Sequence, residues 1–191
     1  MTPGQGSVFP NGESAASAGS AVAVVYCDGA CIGNPGPGGY GVVVQMPNSP
    51  DIVDSGGLAR TTNNQMELTA AIVGLTHALE RGARIVRVVS DSEYVVKGMN
   101  GWVAGWKRKG WKTSTGTPVK NQEMWAELDV LCTGRNVTWQ WIPGHAGYKQ
   151  NEQCDRLAVA AAKLAASRPV AGPQPPARRS ATGGRTSRGA G

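Results

Sequence analysis

Two short apolar runs in this chain each stop at an aspartate, and that repetition narrows the possible folds more than any other feature. Residues 21–27 (AVAVVYC) meet Asp28, and residues 85–90 (IVRVVS) meet Asp91. Runs of this length, rich in β-branched residues and bounded by turn formers, predict buried strands. Placed side by side in one sheet, the two strand ends bring both carboxylates to a single edge.

The elements between and after them follow from local signals. The cluster Asn34-Pro35-Gly36-Pro37-Gly38-Gly39 predicts a loop leading into a second strand over 41–45, and residues 52–58 form a weaker third, which suggests an antiparallel meander. Residues 62–81 carry the clearest helix signal. Thr62-x-x-Gln65 has the form of a capping box, Leu68, Ile72, Leu75 and Leu79 make an apolar stripe, and Gly82 is a good stop. A short helix over 92–99, a Trp/Lys-rich segment, a helix over 122–131, a strand over 137–142 and an alanine-rich helix over 150–166 complete the chain. The order βββ-α-β-α-α-β-α indicates an α/β domain: a mixed sheet with flanking helices.

Composition bounds the rest. The chain has 191 residues and a net charge of +6, but five of its arginines lie in 168–191, where there is no acid. Positions 21–167 carry only +2, so any polyanion binding there must come from local patches. Residues 1–20 and 168–191, rich in Gly, Ser, Ala, Pro and Arg, are expected to be disordered tails around one domain at 21–167. Cys27, Cys31, Cys132 and Cys154 are too few and too scattered for a disulfide scaffold or a zinc site, and are expected to be reduced. No basic residue precedes Arg60 and no apolar run approaches the ~20 residues of a membrane span. These features predict a soluble cytoplasmic protein with no leader peptide.

Four acids are candidates for chemistry: Asp28, Glu67, Asp91 and Asp155. Each also has a plain structural explanation. Asp28 and Asp91 suit turns, and Glu67 and Asp155 lie early in helices, where the macrodipole favours an acid. The motifs around them carry more information. The segment from Tyr26 to Gly41 (YCDGACIGNPGPGGYG), then Thr61-Thr62-Asn63-Asn64-Gln65-Met66-Glu67-Leu68, Ser90-Asp91-Ser92, Trp141-Ile142-Pro143-Gly144-His145-Ala146-Gly147 and Asn151-Glu152-Gln153-Cys154-Asp155 together closely resemble the ordered signatures of type-I ribonuclease H, the bacterial ribonuclease HI family. The resemblance covers roughly 21–166.

That resemblance implies a ribonuclease H-like fold, a five-stranded mixed sheet of meander plus parallel strands. It also implies an endonuclease that hydrolyses the RNA strand of RNA–DNA hybrids, leaving 5′-phosphate and 3′-hydroxyl ends. The four acids would hold two Mg2+ ions about 4 Å apart, with Mn2+ able to substitute. Asp28 would bridge both ions, Glu67 and Asp91 complete one site, and Asp155 hold the other. His145, in a glycine-flanked loop, would transfer a proton or assist product release. His77 lies outside the motifs and is expected to be structural.

Substrate contacts are implied by the same resemblance. Asn34, Asn63 and Asn64 would meet RNA 2′-hydroxyls. Thr62 and Asn121 would hold a DNA phosphate, and Trp102 and Trp125 would pack on its sugars. The Trp/Lys segment, including Lys107, Arg108 and Lys109, resembles a basic handle at about 100–120, which suits a nucleic-acid backbone. Glu93 stands where relatives often carry Gln, and is expected to repel phosphate while still accepting a 2′-hydroxyl. The expected protein is a monomer with no obligate protein partner. Two alternatives compete: a noncatalytic hybrid-binding module, which should have lost at least one of the four acids, and a related nuclease acting on DNA.

Overall fold

The computed structural model describes residues 22–168. The tail expected at 1–20 lies outside the described residues, as does the one expected at 168–191 apart from Arg168.

Five strands form one sheet in the order β3-β2-β1-β4-β5. The strands β1 (Val22–Cys31), β2 (Gly36–Gln45) and β3 (Ile52–Thr61) are an antiparallel meander. Strands β4 (Ile85–Ser90) and β5 (Asn136–Trp141) add in parallel to β1. The mixed sheet expected from the element order is present.

Helix α1 (Asn63–Glu80) begins as its sequence dictates. The Thr62 hydroxyl accepts from Gln65 N–H at 3.3 Å, and Gln65 Oε1 accepts from Thr62 N–H at 3.1 Å. It ends at Gly82, whose φ of +82° is left-handed and lets Ala83 N–H reach back to the Ala78 carbonyl at 3.0 Å. Leu68, Ala71, Leu75 and Ala78 from α1 pack with Val25, Val42, Val86 and Val88 of the sheet. Helix α4 (Gln122–Cys132) joins the same core through Trp125 and Leu128.

Helix α5 (Lys149–Ser167) covers β1–β3 and buries Cys154, Ala158, Ala161, Ala162 and Ala165. Between β4 and α4 the chain forms α2 (Glu93–Lys97), a π-helical turn (Gly98–Trp102) and α3 (Val103–Arg108). The Trp/Lys-rich segment is thus helical as far as Arg108 and non-helical from Lys109 to Asn121.

Strand β3 runs to Thr61 instead of residue 58, and the β1–β2 hairpin differs more from the sequence reading. Strand β1 does not end at Asp28 but continues to Cys31, and β2 starts at Gly36 instead of residue 41. The glycines there are strand residues: Asp28 pairs with Gly41, Ala30 with Gly39 and Cys31 with Gly38. Their missing side chains make room for helices. A Cβ on Gly41 would overlap the Cys154 carbonyl oxygen, and one on Gly39 would overlap the α5 backbone at Ala158. On the other face, a Cβ on Gly29 would overlap the Glu67 backbone nitrogen.

Candidate active site

The β-ladder brings the two aspartates together. In the parallel pair Tyr26 lies opposite Val89, so two residues further on Asp28 comes level with Asp91. Directly opposed residues in a sheet share a face, and Asp28 opposes Gly41, against which the Cys154 carbonyl of α5 is pressed. Asp155 is the next residue. Gly29 points to the opposite face and admits the α1 backbone at Glu67. One Asp-Gly pair in β1 thus lets a helix from each face deliver an acid to the same spot.

The electrostatics agree. The Asp28 carboxyl is pushed up to about 7 by burial first, then by the charges of Asp91, Asp155 and Glu67, while the Gly29 N–H at 2.7 Å pulls it back. Burial also raises Glu67, and Asp91 adds to that; hydrogen bonds from Ser92 and Asn63 oppose it. Glu67 is not in the first turn of its helix, so the macrodipole does not account for it. Instead both of its oxygens are held: Ser92 Oγ donates to Oε2 at 2.6 Å and Asn63 Nδ2 donates to Oε1 at 2.8 Å. Asp91 Oδ2 accepts from Asn151 Nδ2 at 3.0 Å, and the Asp91 carbonyl accepts from Trp141 Nε1 at 3.0 Å.

Four ionised acids in one pocket repel each other and need a cation. Among the described residues, no group of three or more His, Cys, Asp or Glu side chains stands close enough to hold an ion by itself. The donor set still fits Mg2+. It is all oxygen, and Mg2+ takes one or two carboxylates while filling its other positions with water and substrate phosphate. Asn151, whose Nδ2 meets Asp91, has a buried Oδ1 without a partner.

The remaining candidates fall into three groups. At the rim, Asn34 Oδ1 accepts from the Asn63 backbone N–H at 3.2 Å, which ties the β1–β2 loop to α1, while Asn64 is exposed. His145 is exposed with φ of +54° in the loop after β5. His77 pairs with Asp54 at 2.9 Å, away from the acids, in keeping with a structural role.

The second group lines a cleft of about 310 Å³ between α1 and the handle, formed by Asn64, Tyr94, Trp102, Trp106, Lys120 and Asn121. Trp102 is 40% exposed there. Trp125, expected to touch substrate, is fully buried instead. It lies beneath Tyr94 and Trp106, with ring centroids at 5.0 and 5.6 Å, and donates from Nε1 to the Tyr94 hydroxyl at 3.2 Å. Nothing of it remains for a ligand, so it is the floor under the cleft. Trp106 and Lys120, which the motifs did not single out, line the surface above it.

The third group is charged. Arg108 and Lys109 are exposed, whereas Lys107 is bound to Asp129 at 2.6 Å. Glu93 is exposed and pairs with Lys97 at 2.7 Å, which offsets the phosphate repulsion expected of it. Ser92 and Asn151, which donate to Glu67 and Asp91, were not singled out by the sequence, because only the folded contacts reveal these bonds. All four cysteines are free, as expected.

A five-stranded mixed sheet with acids converging from two strands and two helices defines a carboxylate nuclease of the ribonuclease H-like class. The chain belongs to the RNase H family, whose profile matches residues 20–163. It is 49% identical over 140 residues to a ribonuclease H of Shewanella denitrificans, an alignment covering 73% of this chain and 86% of that protein. Among solved structures it resembles LC9-RNase H1, a type 1 RNase H with the type 2 active-site motif, at 35% identity and a TM-score of 0.67, over 76% of this chain and 74% of that one. It also resembles LC11-RNase H1 in complex with an RNA/DNA hybrid, at 28% identity and a TM-score of 0.59, over 76% and 99% of the two chains. No helix among the described residues is long and apolar enough to cross a membrane.

Proposed function

We propose that this protein is an endoribonuclease that hydrolyses the RNA strand of RNA–DNA hybrids, acting as a cytoplasmic monomer. The observation that carries this reading is the convergence of Asp28, Glu67, Asp91 and Asp155, all from one chain, in a site where burial first and the acidic neighbours second raise Asp28 to about 7. Membership of the RNase H family supports the reaction, and the hybrid bound by the LC11 relative supports the substrate. The free thiols suit a reducing compartment.

Mg2+ bound to these carboxylates, or Mn2+ in its place, supplies charge neutralisation and activation of water for in-line displacement. Asp28, Glu67, Asp91 and Asp155 would hold these ions, with Asp28 serving both, Glu67 and Asp91 one, and Asp155 the other. A water oxygen bonds to phosphorus as the bond to the departing 3′-oxygen breaks, leaving 5′-phosphate and 3′-hydroxyl ends. Ser92, Asn63 and Gly29 N–H hold the acids at their working orientations. His145, free in its loop, takes or returns the proton.

The hybrid is held on both sides of this centre. Asn34, Asn63 and Asn64 at the rim meet 2′-hydroxyls, which distinguish RNA from DNA. The Thr62 hydroxyl caps α1 with its oxygen and keeps its proton for a DNA phosphate; Asn121 Nδ2 donates one proton to the Tyr94 hydroxyl at 3.3 Å and keeps the other for the same phosphate. Trp102 packs on the DNA sugars, and Arg108 and Lys109 supply charge. Asp28→Asn is expected to abolish Mg2+-dependent cleavage of a hybrid while leaving the circular dichroism spectrum unchanged. Parental turnover by that variant would refute the assignment.

A further inference from the structure

Asn151 is the one side chain among the described residues with a buried polar atom that has no partner. It is 3% exposed. Its Nδ2 donates to Asp91 Oδ2 at 3.0 Å, and its Oδ1 accepts nothing. The amide cannot be turned round to relieve this, because a carboxylate only accepts, and an amide oxygen facing it would set acceptor against acceptor. A buried acceptor in a polar site is ordinarily met by an ordered water.

The surroundings give this residue a position of leverage. It lies in the first turn of α5, whose N-cap Tyr148 makes no side-chain cap bond, yet its amide serves Asp91 instead of its own helix. Asp155 is four residues on, on the same helix face one turn away. A Cβ on Gly144 would stand 2.9 Å from Asp91 Oδ2, so the loop after β5 packs closely on that oxygen too. Asn151 is therefore the link between the helix that carries Asp155 and the strand end that carries Asp91.

We propose that Asn151 is a positioning residue of this active site: its amide fixes the Asp91 carboxylate against α5, and its buried Oδ1 accepts from a water held within the carboxylate cluster. The bond from Asn151 sets how far Asp91 stands from Asp155. This inference rests on the metal-dependent reading above. Partners that orient metal-binding groups are typically worth about 10–100-fold in affinity or activity.

The test uses Asn151→Ala and Asn151→Asp in the full chain. The quantities read are kcat and KM on a hybrid, Mg2+ binding by calorimetry without substrate, and the melting temperature. In Asn151→Ala, kcat should fall about 10–100-fold and Mg2+ affinity about tenfold or more, with KM within about twofold because no hybrid contact is lost. Asn151→Asp keeps the volume but replaces the donor with a second carboxylate, and should lose at least as much kcat. A side chain that merely fills space predicts near-parental kcat in Asn151→Asp, and that result overturns the proposal. So does parental Mg2+ affinity in a folded Asn151→Ala. An inactive Asp28→Asn beside parental Asn151 variants removes only the role of Asn151, whereas an active Asp28→Asn removes the reading beneath it.

Discussion

The Asp28 carboxyl makes the site a source of instability whenever no cation is bound. Its ordinary value is 3.8, and burial with three acidic neighbours raises it to about 7 in the folded protein. The folded state therefore binds this proton more tightly than the unfolded chain does. Its contribution is most favourable below about pH 4 and is lost as pH rises towards about 7. Asn at this position cannot ionise. Metal-free Asp28→Asn should therefore be more stable than its parent at pH 8, by on the order of 2 kcal/mol after allowing for solvent screening, with the difference vanishing near pH 4. Urea midpoints at the two pH values measure this, and an equal or lower midpoint at pH 8 contradicts it. The tryptophans divide just as sharply. Trp125→Ala should cost about 3–5 kcal/mol of stability by opening a core cavity. Trp102→Ala should leave stability nearly unchanged and raise KM for hybrid. The sequence displays six tryptophans in one region without saying which are inside. Burial is settled by Tyr94 and Trp106 closing over Trp125.

Elements were legible where their signals are local. The start of α1 rests on Thr62 and Gln65, three residues apart, and its end on Gly82 alone, so both could be read directly. The β1–β2 hairpin could not. Gly36, Gly38 and Gly39 read as turn formers, because a glycine needed for close helix approach looks the same in sequence as one needed for a bend. What decides between them is the α5 backbone, more than a hundred residues away, lying against Gly39 and Gly41. Gly41→Ala tests this packing. The added methyl meets backbone, which cannot swing aside, so the variant should lose about 2 kcal/mol or more in denaturant titration, and Asp155 should shift with α5. Unchanged stability would mean that the helix is not pinned there. For the site, the four acids were visible through their motifs, while Ser92 and Asn151 were not. Their roles depend on contacts spanning 25 and 60 residues.

At the scale of the whole molecule, chemistry is proposed at the acid cluster and substrate recognition in the cleft beside α1. The acids lie where β1, β4, α1 and α5 meet, and the cleft lined by Asn64, Trp102 and Asn121 leads from α1 to the handle. The charge of only +2 over 21–167 argues against indiscriminate attraction to nucleic acid. On the proposed reading, the duplex instead fits asparagines on one side and the tryptophan cleft on the other. A noncatalytic binding module is disfavoured because all four acids are present and coupled. A DNA nuclease would have no use for the 2′-hydroxyl contacts proposed at Asn34, Asn63 and Asn64. The most direct measurement is cleavage of sequence-matched RNA–DNA, RNA–RNA and DNA–DNA duplexes with Mg2+, each labelled on either strand. Cuts confined to the RNA strand of the hybrid, leaving 5′-phosphates, are the predicted result. Comparable cutting of the DNA duplex, or none of the hybrid, would contradict it.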